Sequence, residues 1–503
     1  MSANLGITAR EKDFSEWYTD LVQKAELADY APVRGCMVIR PNGYAIWELM
    51  QKGLDGMFKA SGHQNAYFPL LIPMSFLATE AEHVEGFAPQ CAVVTHYRLK
   101  PNEAGKLDLD PEARLEEPLV VRPTSETVIW PMVKKWVQSY RDLPVLLNQW
   151  VNVMRWELRT RLFLRTSEFL WQEGHTAHAT YDEAEEEALR ILGIYRRFAE
   201  EWMAVPVLYG RKTESEKFPG AHHTYCIEAL TQELRVAQAG TSHNFAQNFG
   251  KAFDVSFTGA DGKLDHVHTT SWGVSTRLVG TMIMVHSDDK GLVAPPRLAP
   301  VQAVIVPLGK DDSTRAQTYA AADRLASELG ETTWDDAPLR IRVDKREHES
   351  PGFKYNDWEL KGACVRIEIG PRDLESNSAV VARRDTGEKS PVRFDQLVQY
   401  VQSVLTSQQS SLLEKALASR QANTRHIDDW AAFEKHFAGE GGAGLVLAHW
   451  DGTEETELAI SERTKATIRC IPLEPLHPGD DEPGKCVLTG KPSERRVVFA
   501  KAY

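Results

Sequence analysis

The segment from Met154 to His175 reads M-R-W-E-L-R-T-R-L-F-L-R-T-S-E-F-L-W-Q-E-G-H, and it constrains the fold of this chain more than any other stretch. It sets four arginines (Arg155, Arg159, Arg161, Arg165) into what reads as an apolar strand hairpin. A hairpin that only had to fold would keep its inward positions apolar. A guanidinium stays charged at any working pH and presents a planar fork that fits phosphate and carboxylate. Two readings stay open on these residues alone. The hairpin is a solvated antiparallel pair with charged edges, or its arginines form a floor for an anionic ligand.

Around it the chain divides by pattern. Residues 1–30 carry an amphipathic helix, with Phe14, Trp17, Leu21, Val22 and Leu27 near helical spacing. A second helix follows Pro41 and ends near Gly62, its apolar residues Trp47, Met50, Leu54 and Phe58 recurring every three to four. Residues 66–73 read as an edge or bulged strand because of the internal Pro69. Strand-like runs follow at 119–122, 145–157, 167–173, 225–229, 234–237 and 253–257. Few crossover helices separate them, so an antiparallel sheet is expected, with helices over 126–140 and 183–203 packed on it and a buried helix at 275–286.

The proline-rich run at 293–300 reads as a linker. Beyond it strands and helices alternate (strand 303–307, helix 314–328, strand 341–343, helix end 358–362, strand 365–369), as in a small α/β domain with partly parallel strands. A long helix near 394–425 leads to a last segment. The expected domains are 1–293, an α+β catalytic domain on an antiparallel sheet; 300–405, an α/β domain; and 428–503, a small α+β domain. A length of 503 residues fits about three domains.

Composition narrows the partners. The net charge of −13 argues against a non-specific nucleic-acid binder, and no DNA partner is expected. It leaves room for an RNA held on local basic patches. No apolar run is long enough to span a bilayer and the N-terminus lacks the apolar core of a signal peptide. Six cysteines (36, 91, 226, 364, 470, 486) without paired spacing fit a reducing cytoplasm.

Four short constellations could carry chemistry. Thr124-Ser125-Glu126 after Arg122-Pro123 reads either as a helix N-cap or as a hydroxyl and carboxylate holding an ammonium group. Trp171-Gln172-Glu173-Gly174-His175 offers an aromatic wall, a carboxylate and an imidazole. With His178 it lacks the spacing and the cysteines of a zinc site, so no metal is assigned. Gln238 to His243 reads as a glycine-containing turn after a strand, either plain or delivering polar groups to a pocket. Arg277 opens a very apolar helix, where a lone charge needs an internal ion pair or an anionic ligand. No P-loop or G-x-G-x-x-G fingerprint occurs, so a nucleotide would be held by arginines on the sheet.

In this order the pieces resemble a class II aminoacyl-tRNA synthetase. Arg155-Trp156-Glu157 followed by Arg165-x-x-x-Phe169 resembles the second signature motif, and Gly273 to Arg277 with its helix resembles the third. The helix of residues 41–61 with the strand ending at Pro73 resembles the first, which usually forms a dimer interface. Arg122 to Glu126, Phe169 to His175, Gly240 to His243 and Trp358 to Gly362 together resemble the prolyl-tRNA synthetases of archaeal and eukaryotic type, over essentially the whole chain. The stretch between Arg155 and Arg277 is too short for the large editing insertion of the other bacterial type.

The resemblance implies ligation of L-proline to tRNA(Pro) through a prolyl-adenylate made from ATP, usually with Mg²⁺, in a cytoplasmic homodimer. It assigns catalysis to Arg155 and Arg277. For ATP it implies Arg155, Glu157, Arg165, Phe169, Gln238, Thr241 and Arg277. For proline it implies Thr124, Glu126, Arg155, Trp171, Glu173, His175, His243 and Ser275. The domain after residue 300 resembles the anticodon-binding domain shared with threonyl, histidyl and glycyl synthetases. Arg342, Asp344, Arg346, Lys354 and Arg372 are its candidate contacts by position. Arg159 and Arg161 are expected in a mobile loop that meets the tRNA acceptor end.

The last segment departs from the pattern. Relatives often carry four zinc cysteines there, whereas this chain has Cys470 and Cys486, with Ala448 and Thr453 near the other two places. A tetrahedral site needs four ligands, so no structural zinc is expected and apolar packing should replace it. Tyr503 matches the family's closing tyrosine, which tends to point toward the active site. The competing readings are a class II synthetase for threonine, glycine or histidine, and a non-catalytic tRNA-binding paralogue. Trp171 and the ammonium pocket argue against the first, and retention of Arg155, Glu157 and Arg277 against the second.

Overall fold

The computed structural model describes residues 6–77 and 90–503, so the start of the N-terminal segment lies outside the described residues. Helix α1 (Phe14–Lys24) buries Trp17, Tyr18, Leu21 and Val22, and α2 (Pro41–Ala60) buries Trp47, Met50, Leu54 and Phe58. Of the stretch expected as one strand at 66–73 only Leu71–Pro73 is a strand, paired with residues 119–121; a separate short strand, β1 (Gln64–Asn65), precedes it and joins a different sheet.

The rest of the N-terminal half follows as α3 (Glu126–Trp136), β2 (Val145–Met154), β3 (Glu168–His178), α4 (Tyr181–Glu201), β4 (Val207–Arg211), β5 (His223–Leu230), β6 (Val236–Ala246), β7 (His268–Ser275) and α5 (Arg277–His286). Strands β2 to β7 pair antiparallel throughout, as expected. Helix α4 covers one face. There Tyr195 donates to Gln172 Oε1 at 2.7 Å and Trp272 is buried. Gly174 stands over that ring, where a Cβ would come within 2.1 Å of it. The opposite face is left for the site.

Two local expectations fail. Gln238 to His243 is the middle of β6 rather than a turn, since backbone pairing on both sides overrides the turn preference of glycine. A Cβ on Gly240 would meet Val274 Cγ1 at 2.8 Å, so close strand packing is what the glycine serves. Residues 253–257 are not one strand either: a short helix Asn248–Ala252 ends there, Asp254 sits at φ 52°, and only Ser256–Thr258 is extended.

The next unit runs β8 (Ala303–Pro307), α6 (Asp312–Gly330), β9 (Ile341–Val343), α7 (Pro351–Leu360), β10 (Val365–Ile369), β11 (Ser378–Arg383), β12 (Lys389–Arg393) and α8 (Leu397–Ala422). Its sheet has the order β9-β8-β10-β11-β12, with β8 parallel to both neighbours and the far pairs antiparallel. Arg384 bolts it to the N-terminal half by a bidentate contact with Asp288, at 2.9 and 2.6 Å, just beyond α5.

The C-terminal segment adds β13 (Thr424–His426), β14 (Leu445–His449), α9 (Glu454–Thr464), β15 (Thr467–Pro472) and β16 (Arg496–Ala500). Its strands do not form a separate sheet. Strand β15 pairs antiparallel with β4, so among the described residues one sheet of 11 strands runs β13-β14-β16-β15-β4-β5-β6-β7-β3-β2-β1. Gly210 permits the junction, because a Cβ there would lie 2.4 Å from Ile471 O and 2.9 Å from Cys470 Cβ.

Candidate functional site

Alternation along β3 turns Trp171, Glu173 and His175 to the face opposite α4. The ladder puts Gln149 and Gly273 beside Glu173, Ser271 beside His175, and Thr241 and His243 beside Gly273 and Ser271. Above them, Arg122 is buried and donates to Asn152 O (2.8 Å), Phe68 O (2.7 Å) and Asn152 Oδ1 (3.1 Å). These bonds fix the turn that carries Thr124, Ser125 and Glu126. The capping reading of that turn fails. Ser125 occupies the N-cap position without making a side-chain cap, and its hydroxyl donates to Glu173 instead. Thr124 likewise donates to Glu126.

The result is a cavity of about 220 Å³ lined by Thr124, Glu126, Arg155, Trp171, Glu173, His175, Thr241 and His243. Its charges are set by burial and neighbours. Burial pushes the Glu126 carboxyl up, but the adjacent His175 and the Thr124 hydroxyl outweigh it and hold the group below the usual carboxylate range. His175 Nε2 lies 3.2 Å from Glu126 Oε1, a charge contact not aligned as a hydrogen bond. Burial lowers His175, yet Glu126 and Glu173 together raise it above its ordinary value. Glu173 is pushed up, first by burial and then by Glu126, against the hydrogen bonds from Ser125 and from Gln149 (2.6 Å). Its Oε2 has no hydrogen-bond partner among the described residues. Burial takes His243 down to about 4, so this imidazole is neutral. An ionised carboxylate, an unpartnered carboxyl oxygen and an indole wall suit a small ammonium compound with an apolar body.

A second cavity of about 730 Å³ adjoins the first, and Thr124, Arg155 and Gln238 line both. It also holds Glu157, Arg159, Arg161, Arg165, Phe169, Ser275 and Arg277. Arg155 marks the junction: its Nε donates to Pro123 O at 2.8 Å and its guanidinium lies 5.1 Å from the Trp171 ring and 5.8 Å from that of Phe169. Glu157 accepts from Arg165 Nε at 2.5 Å and from the backbone of Leu158 and Arg159, contacts that keep it low. Arg277 Nε donates to Leu164 O at 3.1 Å. Burial lowers Arg277 but leaves it a cation, with no carboxylate within ion-pair distance among the described residues.

Several expectations need correction. Ser275, expected in the proline pocket, ends β7 on the larger cavity, where its hydroxyl accepts the Arg277 N–H at 3.2 Å; Ser271 lines the smaller cavity in its place. Arg161 is not in a loose loop. It is held between the rings of Tyr18 (4.8 Å) and Tyr503 (5.5 Å), and its backbone pairs with Arg165. Asp344 and Lys354 are turned inward: Asp344 accepts from Arg346 and from Trp358 Nε1 (2.8 Å), and Lys354 points its amine to Asp344 O at 3.4 Å. Lys354 and Trp358 of α7 thus brace the Asp344 turn, while Arg342 and Arg372 are exposed and Arg346 is partly tied to Asp344 and Asp357.

Sequence reasoning missed Lys212, Glu216, Phe218 and Thr224, which close the smaller cavity. The polar run K-T-E-S-E-K-F-P-G gave no periodicity by which to place them. In the last segment, apolar packing is joined by a cluster of side-chain hydrogen bonds. Asp451 accepts from Thr453 (2.8 Å), Thr456 (3.0 Å) and Thr489 (2.8 Å), tying together the turns near Ala448 and Cys486. Among the described residues no group of three or more His, Cys, Asp or Glu side chains is placed to hold a metal ion.

Known proteins share this chain's sequence pattern and fold. Residues 108–286 match the class II tRNA synthetase core domain (G, H, P, S and T), 302–404 the anticodon-binding domain, and 430–503 the prolyl-tRNA synthetase C-terminal family. The chain is 56% identical to the proline–tRNA ligase of Bacteroides fragilis over 498 residues, 99% of each chain. It is 56% identical to that of Flavobacterium johnsoniae over 505 residues, 100% of each. The crystal structure of prolyl-tRNA synthetase from Cryptosporidium parvum, complexed with halofuginone and AMPPNP, superposes with a TM-score of 0.90 at 36% identity and full coverage of both chains. A core built on antiparallel strands with arginines in place of a P-loop, matched over its whole length by these enzymes, belongs to the prolyl-tRNA synthetase family, the class II proline–tRNA ligases.

Proposed function

We propose that the two cavities divide the ligase reaction between them, with Arg155 acting on both sides. The chain is a proline–tRNA ligase and takes proline, ATP and tRNA as partners. Proline occupies the smaller cavity. Its secondary ammonium sits against Glu126, Thr124 and the open Glu173 Oε2, and its ring lies along Trp171, with His175 and His243 as walls. Its carboxylate reaches Arg155. ATP occupies the larger cavity, its phosphates on Arg155 and Arg165, its adenine between Phe169 and Arg277, with Glu157, Gln238 and Thr241 around it.

A carboxylate oxygen of proline then attacks the α-phosphorus of ATP. The bond from that phosphorus to the bridging oxygen breaks, and pyrophosphate leaves. In the second step a terminal ribose hydroxyl of tRNA(Pro) attacks the acyl carbon, its proton is lost and AMP leaves. Arg155 holds both reactants in line and offsets charge that builds on the α-phosphate, which is how positioning and preorganised cations accelerate phosphoryl transfer. Mg²⁺ would come in on the ATP phosphates, where it would offset their charge.

We extend the same reading to domain limits at 1–293, 300–405 and 428–503, to anticodon contacts at Arg342, Arg346 and Arg372, and to a cytoplasmic homodimer. Support for the dimer is a run of exposed apolar side chains in the N-terminal part, with Tyr67 75%, Tyr97 68% and Leu107 71% accessible. No helix among the described residues is long and apolar enough to cross a membrane.

The observation that carries this reading is the meeting of an ammonium-fitting pocket and an arginine-lined cavity at one guanidinium. Pyrophosphate–ATP exchange measured across all amino acids tests it. Exchange dependent on proline is expected; exchange with a different amino acid and none with proline rejects it.

A further inference from the structure

The continuous sheet brings one charged side chain of the C-terminal segment into the catalytic half. Arg469, on β15, reaches across β4 to Glu228 on β5, donating through Nη2 at 2.9 and 3.1 Å to both carboxylate oxygens. Lys212, next to β4, donates to the same carboxylate at 2.7 Å and to Arg469 O at 2.9 Å. All three groups are buried, and Glu228 is wholly so. Arg469 lines the larger cavity and Lys212 the smaller, while Glu228 is paired in the ladder with Gln238, which lines both.

Two buried cations share one carboxylate, so the cluster carries a surplus formal positive charge. A buried surplus charge is costly unless an opposite charge meets it. Glu216, which also lines the smaller cavity, is exposed and screened by water. The open side of the cluster is the junction of the two cavities.

We propose that Arg469 is a positioning residue for the nucleotide: with Lys212 it clamps Glu228 and holds one surplus positive charge under the junction where the phosphates of ATP lie. The inference rests on the assignment of ATP to the larger cavity. It makes the C-terminal segment part of the catalytic electrostatics through a contact 241 residues apart in the chain.

Steady-state exchange kinetics on the full-length enzyme test it. Arg469→Gln removes the surplus charge. Its KM for ATP should rise about 10-fold, with kcat and the KM for proline within about 2-fold, the split expected when an interaction with one substrate is lost. Arg469→Lys keeps the charge but not the fork, so its KM for ATP should rise less than that of R469Q, by about 3-fold. The double variant Glu228→Gln, Arg469→Gln restores the charge count through Lys212 and should recover most of the ATP affinity. A folded R469Q with unchanged KM for ATP overturns the proposal, as does a double variant no better than the single. Equal rises for ATP and proline together with a lowered Tm would mark a purely structural role and also overturn it. Should R469Q not fold, the double variant is compared with the parent directly; an equal KM for ATP supports the charge count and a rise of about 10-fold rejects it. If the parent shows no proline-dependent exchange, the assignment of the cavities falls first; exchange with an unchanged KM for ATP in R469Q rejects this inference alone.

Discussion

The smaller cavity takes its floor from the middle of β3, β6 and β7, flanked by paired strands, and is closed by the turn at Thr124 and Glu126 and by the segment from Lys212 to Phe218. The larger one is bounded by the β2–β3 connection, the start of α5 and the C-terminal Tyr503, segments joined by side-chain contacts. The first is small, with ionisable groups shifted by burial and by one another; the second is over three times larger, with cations partly in water. Charges in a dry site interact strongly and tolerate little change, whereas exposed charges are screened and individually replaceable. On the proposed reading, amino-acid selection falls to the rigid pocket and nucleotide binding to several arginines acting together.

The shared residue gives the sharpest break. Arg155→Gln should lower kcat/KM in exchange by about 10³-fold, because it removes a preorganised cation from both reactants at once. A loss of less than about 10-fold would mean that the two cavities do not meet functionally at this guanidinium. Next in size is Glu126→Gln, which removes the carboxylate beside the buried His175 and, on the proposed reading, the one facing the substrate ammonium. About 10²-fold should be lost in kcat/KM for proline while the KM for ATP holds. Equal loss on both substrates would dissolve the division between pockets.

On the nucleotide side a single exposed charge should matter less. The Arg165 side chain is 61% accessible, so Arg165→Gln is expected to raise the KM for ATP about 3- to 5-fold, with a smaller difference at high salt. A loss as large as that of E126Q would contradict the screened character of this rim.

The smallest effect concerns pH. His175 titrates above its ordinary value of 6.5 because Glu126 and Glu173 outweigh its burial. A raised pKa adds stability that is complete below 6.5 and disappears as pH rises through the folded-state value. The Tm gap between parent and His175→Gln should therefore be widest at acidic pH and should narrow on the alkaline side by a few degrees. A gap that widens with rising pH would reverse the assigned charge of this imidazole.

Much of the rigid pocket was legible before the fold. Trp171, Glu173 and His175 alternate along a strand, and period-2 spacing alone puts them on one face. Thr124 and Glu126 flank a strand-to-helix turn, although their hydroxyl partners could not be read, because an N-cap and a substrate clamp use the same residues. The β6 segment was misread as a turn since Gly240 favours one locally, and only pairing with β5 and β7 overrides it. Arg161 was read as mobile because nothing near it in sequence shows that Tyr18 and Tyr503 enclose it. The clamp on Glu228 was invisible for the same reason.

By itself the sequence determined the chemistry that local spacing can carry: the arginine hairpin, the acidic turn after Arg122, the strand alternation around Glu173, the proline-rich break near residue 296 and the α/β grammar beyond it. The tertiary structure decided which distant groups share a charge. It joined β15 to β4 through backbone hydrogen bonds that Gly210 leaves room for, set Ser275 on the larger cavity, turned Asp344 and Lys354 inward and brought Arg469 to Glu228. Period and propensity act over a few residues, whereas the desolvated pairs at this site are made across strands whose contact depends on the whole sheet closing.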